Sequence, residues 1–429
     1  MTKSAIVRLV LGTLCLLPLA GARELGLDEA LDLVAGANLD VLVSREAVNQ
    51  AMESQRQSRS GLMPQVTLDA TQRRNRAASV GATLVRSGVS NRFDAQLNAR
   101  LDLLNPVNLA RYQAAKSAVT VAELGAAGTR QYVMAAAAET YFAHLRNLER
   151  TSVLDDNILR ARRLLELARN QLNAGVATQI DVTRAEALVA VAEQARLQQQ
   201  TVVQGSALQL KRLLDLDLAE SLTLTPVTLP RTEPVAAGPD LAWDRRSDLQ
   251  GAKALLEQNE LEVRAARFNR LPSLALVGSY GYASEYALDG NEAQTWSGSV
   301  AMSLPVFDGA ETRALTGIAR SRRRAQELRV RNLETQIAAE LQLARQDAGS
   351  RLAQIGVAET QESLAREELA LAEKRFEQGV ADNREMIEAQ GRLANASDNL
   401  VEAVYLYNLS RVELARVQGD VRDILPSAP

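Results

Sequence analysis

Residues Trp296-Ser297-Gly298-Ser299-Val300-Ala301-Met302-Ser303-Leu304, followed by Pro305-Val306-Phe307-Asp308-Gly309, decide the fold. In the first nine, Trp296, Gly298, Val300, Met302 and Leu304 share one face and Ser297, Ser299, Ala301 and Ser303 the other. That two-residue period is the signature of a strand. The stretch from Pro305 to Gly309 breaks it. No proline follows between Ala310 and about Phe376, and the apolar period becomes helical. Ile337, Leu341, Ala344, Ala348, Leu352 and Ile355 step by 4, 3, 4, 4 and 3, and Ala365, Leu369, Ala372 and Phe376 by 4, 3 and 4. This is coiled-coil spacing. A run of some 67 residues at 1.5 Å rise makes a rod of about 100 Å. Gln378-Gly379-Val380-Ala381-Asp382 ends the rod, and a returning helix spans 383–418.

The first half of the chain has the same plan. A helix over 27–37 and another from Asp40 to about Ser60 lead to Leu62-Met63-Pro64. A β-hairpin follows over about 65–103: Val66, Leu68 and Ala70 alternate with polar residues, then Phe93, Ala95, Leu97, Ala99 and Leu101 do the same. Arg73 to Ser90 between them reads as a polar loop. A second rod runs over 107–173, with Gly125 and Gly128 marking a point of expected bending. Gly175-Val176-Ala177 is its tip turn, and a helix returns over 179–214. Leu62-Met63-Pro64 matches Arg270-Leu271-Pro272 at a shift of 208, and Gly175-Val176-Ala177 matches Gly379-Val380-Ala381 at a shift of 204. Asn105 and Asp308 occupy the same strand-to-helix break. The chain is therefore duplicated. A first repeat covers 23–214 and a second covers 246–419, the latter with a hairpin over about 272–304 and a long helix over 310–377. Between them, 215–245 is an irregular connector broken by Pro226, Pro230, Pro234 and Pro239, with a short strand at Leu222-Thr223-Leu224. Residues 420–429 read as a short tail.

In each half the helix before the hairpin and the helix after the tip turn, stacked end to end, match the length of one long helix. Each half thus reads as one long helix beside two short stacked ones.

Met1 to Ala22 reads as a secretory signal: Lys3 and Arg8, an apolar run over Leu9–Leu19, then Ala20-Gly21-Ala22. The apolar run is short for a spanning helix, and no later stretch approaches the ~20 residues needed. The single cysteine, Cys15, lies inside that leader, so neither a disulfide nor a lipid anchor is expected in the mature chain. A net charge of −3 gives no nucleic-acid surface. Aromatic residues make up only 3% of the chain, too few for a large compact core. No catalytic constellation, metal spacing or phosphate loop occurs, so no enzyme and no cofactor is expected. The only histidine, His144, sits mid-rod beside Tyr141 and Leu148 as a packed residue. Arg320, Arg322, Arg323, Arg324, Arg329 and Arg331 read as a solvated helix face; a basic lumen or a lipid-phosphate contact stays open.

Four membrane-type strands per chain cannot close a barrel, and an open sheet edge cannot face lipid. The chain must therefore oligomerise; two copies supply eight strands and three supply twelve. Ser297, Ser299, Ser303, Thr67, Asn98 and Asp102 make the other face small or polar, as suits water. Phe93, Tyr280, Tyr282 and Trp296 are candidates for aromatic girdles at the membrane interfaces. Two alternatives, a periplasmic coiled-coil adaptor and a structural surface protein, do not account for duplicated membrane hairpins.

On its duplicated layout, Leu-Pro strand entries, Pro-Val-Phe-Asp-Gly strand exit and Gly-Val tip turns, the chain resembles the TolC family of outer-membrane efflux and secretion channels. The resemblance covers nearly the whole mature chain. It implies a homotrimer: a 12-stranded outer-membrane β-barrel, in contact with outer-membrane lipid, continued by a long periplasmic α-helical barrel. It further implies a passive exit duct for small molecules or proteins, docked at its tips to a periplasmic adaptor and an inner-membrane pump. Gly175, Val176, Ala177, Gly379, Val380 and Ala381 are then the expected docking tip. Glu385 and Glu388, six and nine residues past the second tip glycine, lie on one helix face, where the resemblance implies an acidic periplasmic gate. Asp181 and Arg184 hold the matching offsets in the first repeat. The alternative for both glutamates is simple stabilisation of a helix N-terminus.

Overall fold

The computed structural model describes residues 23–80, 85–231, 245–287, 290–378, 380 and 383–425; the expected leader lies outside them. In chain order come β1 (Arg23–Leu25), α1 (Leu27–Ala37), α2 (Leu39–Ser60), β2 (Gln65–Val80), β3 (Val85–Leu104), α3 (Pro106–Asn173) and α4 (Gln179–Leu213). After β4 (Leu222–Leu224) in the connector come α5 (Ser247–Phe268), β5 (Ser273–Ser284), β6 (Ala293–Ser303), α6 (Glu311–Glu377) and α7 (Asn383–Gln418). A 3-10 turn over Val421–Ile424 follows.

The two rods, α3 and α6, are 68 and 67 residues long. Each starts where its sequence supplies a cap. Asn105 Oδ1 accepts the Asn108 N–H at 3.1 Å, and Pro106 brings no N–H that needs a partner. At the matching place Asp308 accepts the N–H groups of Ala310 and Thr312 at 3.1 and 3.0 Å. α3 runs unbroken through Gly125 and Gly128. At Gly128 the cause is close packing: a Cβ there would sit 3.3 Å from Ser247 Oγ at the start of α5.

The strands β2-β3-β5-β6 form one antiparallel sheet in that order. Its register aligns the faces read from sequence. Leu68, Leu97, Tyr280 and Trp296 form one row across the four strands, and Ala70, Ala95, Tyr282 and Gln294 the next on the same face. On the other face Thr67, Asn98, Ser279 and Ser297 share a row, with Ser279 and Ser297 hydroxyls 2.8 Å apart. The loop expected over Arg73 to Ser90 is instead a continuation of β2 and β3 to Val80 and from Val85. Arg73, Arg74, Asn75 and Arg76 put polar residues on both faces in succession, so no alternation of hydrophobicity marks the start of this extension. β6 likewise begins at Ala293, three residues before Trp296.

Below the sheet the helices form a layer. Near the sheet its order is α2, α3, α5, α6; near the tips it is α4, α3, α7, α6. α2 and α4 stack against α3 as two short helices beside one long one. Asn38 holds their joint: its Oδ1 accepts the Asp40 N–H at 2.9 Å, and its Nδ2 donates to Leu213 O at 2.8 Å, where α4 ends.

The largest apolar cluster sits at this level. Leu25, Leu31, Tyr141, Phe142, Leu210, Leu224, Val421 and Ile424 are all buried within it. β4 pairs in parallel with β1, a partner the sequence pattern had not indicated. The Tyr141 hydroxyl lies 3.0 Å from Leu25 O and 2.7 Å from Thr225 O, and burial pushes its pKa up to about 12. The expected tail therefore begins as core: Val421 and Ile424 are 0% and 2% exposed, and Gln131 accepts the Val421 N–H at 3.0 Å. His144 is buried as expected, 2.7 Å from Ser206 Oγ. Burial, and then the nearby Lys211 charge, lower its pKa. Of the arginine cluster, Arg320, Arg322, Arg324, Arg329 and Arg331 are exposed, and Arg323 reaches Glu260 and Glu327 at 3.7 and 3.8 Å.

Candidate functional site

Two ends of the molecule carry the expected functional residues. At the sheet, Phe93, Tyr280, Tyr282 and Trp296 all lie on the apolar face within three successive rows. They form a single band, toward the hairpin ends, rather than a girdle at each interface. Tyr280 and Tyr282 meet edge to face with centroids 6.2 Å apart. At the other end of the sheet Val306 and Phe307 are 93% and 89% exposed, in the break that leads into α6. Phe307 thus combines the strand exit with an exposed apolar ring at the foot of the sheet.

At the far ends of the rods lie the tip turns. α3 closes with a Schellman motif: Gly175 N–H donates to Leu172 O at 3.0 Å and Val176 N–H to Gln171 O at 2.9 Å. Gly175 takes φ +76°, which favours glycine. Val380 N–H reaches Arg375 O at 2.9 Å, the same six-residue closure at the end of α6. Gly379 and Ala381 lie outside the described residues. Val176 and Val380 are 69% and 68% exposed, so each tip presents a bare valine; Ala177 is half-buried.

The two tips are tied to each other. Gln171 Nε2 donates to Phe376 O at 3.2 Å, and the buried Asn383 donates from Nδ2 to Asp181 O at 2.7 Å. Under them Leu164, Val182, Leu369, Phe376, Met386 and Leu393 interlock. Neither tie was visible in the sequence, because each joins residues some 200 positions apart.

The acidic residues behave differently from one another. Asp181 completes a capping box: Thr178 N–H and Oγ donate to its Oδ2 at 3.0 and 2.6 Å. Those bonds to Thr178 hold its pKa below the usual carboxylate value. Glu385 meets Arg375 at 2.8 Å. Glu388 meets Arg384 at 3.0 Å, and Arg392 lies 4.0 Å away, itself bound to Glu368 at 2.7 Å. The face expected to be doubly acidic is thus a lattice of alternating charge within one chain. Among the described residues no group of three His, Cys, Asp or Glu side chains could hold a metal, and no helix is long and apolar enough to cross a membrane.

The family model described as outer membrane efflux protein matches residues 30–215 and 238–420, one segment for each repeat. Outer membrane protein OprJ of Pseudomonas aeruginosa is 25% identical over 70% of this chain and 62% of its own length. The probable efflux pump outer membrane protein TtgC of Pseudomonas putida is 25% identical over 89% of this chain and 80% of its own. A crystal structure of a membrane protein from Pseudomonas aeruginosa superposes with TM-score 0.81 at 22% identity, over 92% of this chain and 93% of that one. With its duplicated repeats, two-faced sheet and paired rods, and by the family-model match over both repeats, the chain belongs to the outer membrane efflux protein family.

Proposed function

We infer that the chain is the outer-membrane exit duct of a tripartite efflux assembly, a passive channel rather than an enzyme, and that it works as a homotrimer. One observation carries the reading: every layer of the protomer ends in two open edges. β2 and β6 bound the sheet, α2 and α6 bound the upper helix layer, and α4 and α6 bound the lower one. Unpaired backbone N–H and C=O groups at β2 and β6 cannot stay bare in hydrocarbon. Pairing β6 of one copy with β2 of the next around three copies gives twelve strands, enough to leave a channel. The same closure brings α6 against the neighbour's α2 and α4. Exposed apolar residues on those helices support it: Leu343, Val357, Leu364 and Leu371 recur on α6 at multiples of seven residues, and Val191, Leu197, Val202 and Leu208 line α4.

The polar face of the sheet then lines a water-filled lumen, and the apolar face meets lipid. Substrate moves down its gradient, and the pump and adaptor supply energy and selection. Gly175, Val176, Ala177, Gly379, Val380 and Ala381 form the surface that the periplasmic adaptor grips. Glu385 and Glu388 surround the opening at the tips. Their arginine partners make that ring mixed in charge, so cation preference arises from its carboxylates and is weaker than that of a purely acidic ring. Asp181, committed to its cap, shapes the tip rather than the selectivity. Planar-bilayer recording of the purified protein tests the duct: discrete, long-lived conductance steps are expected, and insertion without conductance would refute it.

A further inference from the structure

The two hairpins differ at their outer ends. β2 and β3 are 16 and 20 residues long, against 12 and 11 for β5 and β6. The first hairpin therefore projects beyond the second. Between residues 72 and 92 it carries Arg73, Arg74, Arg76, Arg86 and Arg92 and no acidic residue. Residues 285–292 of the second hairpin carry Glu285, Asp289 and Glu292 and no Lys or Arg.

The register sorts these arginines by face. Arg73 pairs with Arg92 on the polar face, and Arg92 meets Asp94 at 2.9 Å there. Arg74 pairs with Asn91 and Arg76 with Val89 on the face of Val66, Leu68 and Ala70, which is the lipid side. On that face Phe93 and Gln72 form the last aromatic row, Arg74 comes one row later and Arg76 two rows later. Rows are about 6.7 Å apart along a strand, or about 5 Å along the membrane normal at the usual tilt. From the row of Leu101 to that of Phe93 the apolar face spans about 20 Å of height, close to the ~25 Å of an outer-membrane barrel. Arg74 and Arg76 thus leave the apolar band just above its aromatic rim, at headgroup height, both exposed. The helices hang from the opposite end of the sheet, so this rim belongs to the outer leaflet.

We propose that Arg74 and Arg76 bind the phosphate groups of the outer-leaflet glycolipid, so that each copy carries a lipid-phosphate clamp on its first hairpin. A guanidinium matches phosphate with paired hydrogen bonds, and the apolar rows beneath seat the acyl chains of the same molecule. Position decides the occupant: a soluble anion would be met equally by Arg73, one residue away on the lumen side, whereas only Arg74 and Arg76 stand over hydrocarbon. The proposal rests on the barrel reading above, and the test keeps the two apart.

The test is native mass spectrometry of the detergent-solubilised protein with diphosphoryl lipid A and with its phosphate-free analogue. R74Q/R76Q is compared with R73Q and wild type. SDS-resistant, heat-modifiable oligomers in all three report the barrel; lipid retention reports the clamp. Wild type and R73Q should retain diphosphoryl lipid A, the double variant should bind it about tenfold more weakly, and rising salt should weaken binding. Equal retention by R73Q and R74Q/R76Q, equal binding of the phosphate-free lipid, or displacement by inorganic phosphate at lipid concentration would overturn the proposal.

Discussion

At position 38, where the first repeat begins to stack its helices, stands asparagine; 208 residues on, at the same position of the second repeat, stands arginine. Asn38 caps α2 and binds the end of α4 with neutral hydrogen bonds. Arg246, only 7% exposed, binds Asp248 and Glu340 at 2.6 and 2.8 Å instead. The tips differ in the same way. Gln171 reaches across to the other hairpin, whereas its counterpart Arg375 pairs with Glu385. Asp181 is chiefly a cap, with Arg184 at 3.7 Å, whereas its counterpart Glu385 pairs across to the rod at 2.8 Å. Duplication conserved the path of the chain and exchanged the chemistry that fixes it. At this joint and at these tip positions the first repeat uses a cap and neutral bonds where the second uses arginine–carboxylate pairs, although ion pairs such as Arg169–Glu186 also tie the helices of the first.

The largest effect should come where the repeats are most alike. Val176→Asp and Val380→Asp should each abolish efflux-dependent resistance while trimer and membrane insertion persist, because the proposed adaptor surface centres on the two bare valines. Retained resistance in either variant would break the equivalence of the tips and place docking on the other repeat.

The joints come next. Arg246→Met leaves Asp248 and Glu340 without their partner and should cost about 3 kcal/mol in denaturant unfolding. Asn38→Ala should cost about 1 kcal/mol. The pH windows differ too. Burial alone would raise the Asp248 and Glu340 pKa values, but the Arg246 bonds and charge prevail and both are lowered. Their stabilisation is present above the unfolded-state values near 4 and is lost as pH falls through the lowered folded values. Equal costs and equal acid sensitivity of N38A and R246M would erase the contrast.

A smaller effect is expected inside the first rod. At a shift of 204, buried Ala348 stands where the first repeat buries His144. The folded pKa of His144 is lowered, so the unfolded chain takes the proton first. Stability is therefore full above about pH 6.5 and falls as pH drops below it. His144→Gln should flatten the stability profile between about pH 6.5 and 5; an unchanged slope would assign it to carboxylates.

The smallest effect concerns the acids at the tips. Glu385→Gln/Glu388→Gln should weaken cation preference and multivalent-cation block from the periplasmic side, with little loss of stability because both ion pairs are exposed. Asp181→Asn should do the reverse, costing about 1 kcal/mol and leaving selectivity alone. A change of selectivity in Asp181→Asn would return that residue to the gate.

Most of the architecture was legible because its signals are periodic. The rods, the faces of β3, β5 and β6, and the 204–208 shifts follow from spacing alone. What escaped was what spacing cannot encode. Arg73 to Arg76 are four polar residues in a row, so Arg74 and Arg76 read as loop until backbone pairing placed them. β1 is three residues long and defined only by its partner, 199 positions away. The tip valines were visible as turn residues, and Arg384 and Arg392 stand at helical spacing on either side of Glu388, whereas Arg375, the partner of Glu385, emerges only once α6 and α7 lie side by side.

The central claim is that two open edges per layer close around three copies. The mass of the membrane-extracted, detergent-solubilised particle, with bound detergent subtracted, tests it most directly. Three times the mass of the mature chain is the expected value, in one species that persists on dilution. A stable inserted monomer or dimer would contradict it, since β2 and β6 would then have to meet in some other way.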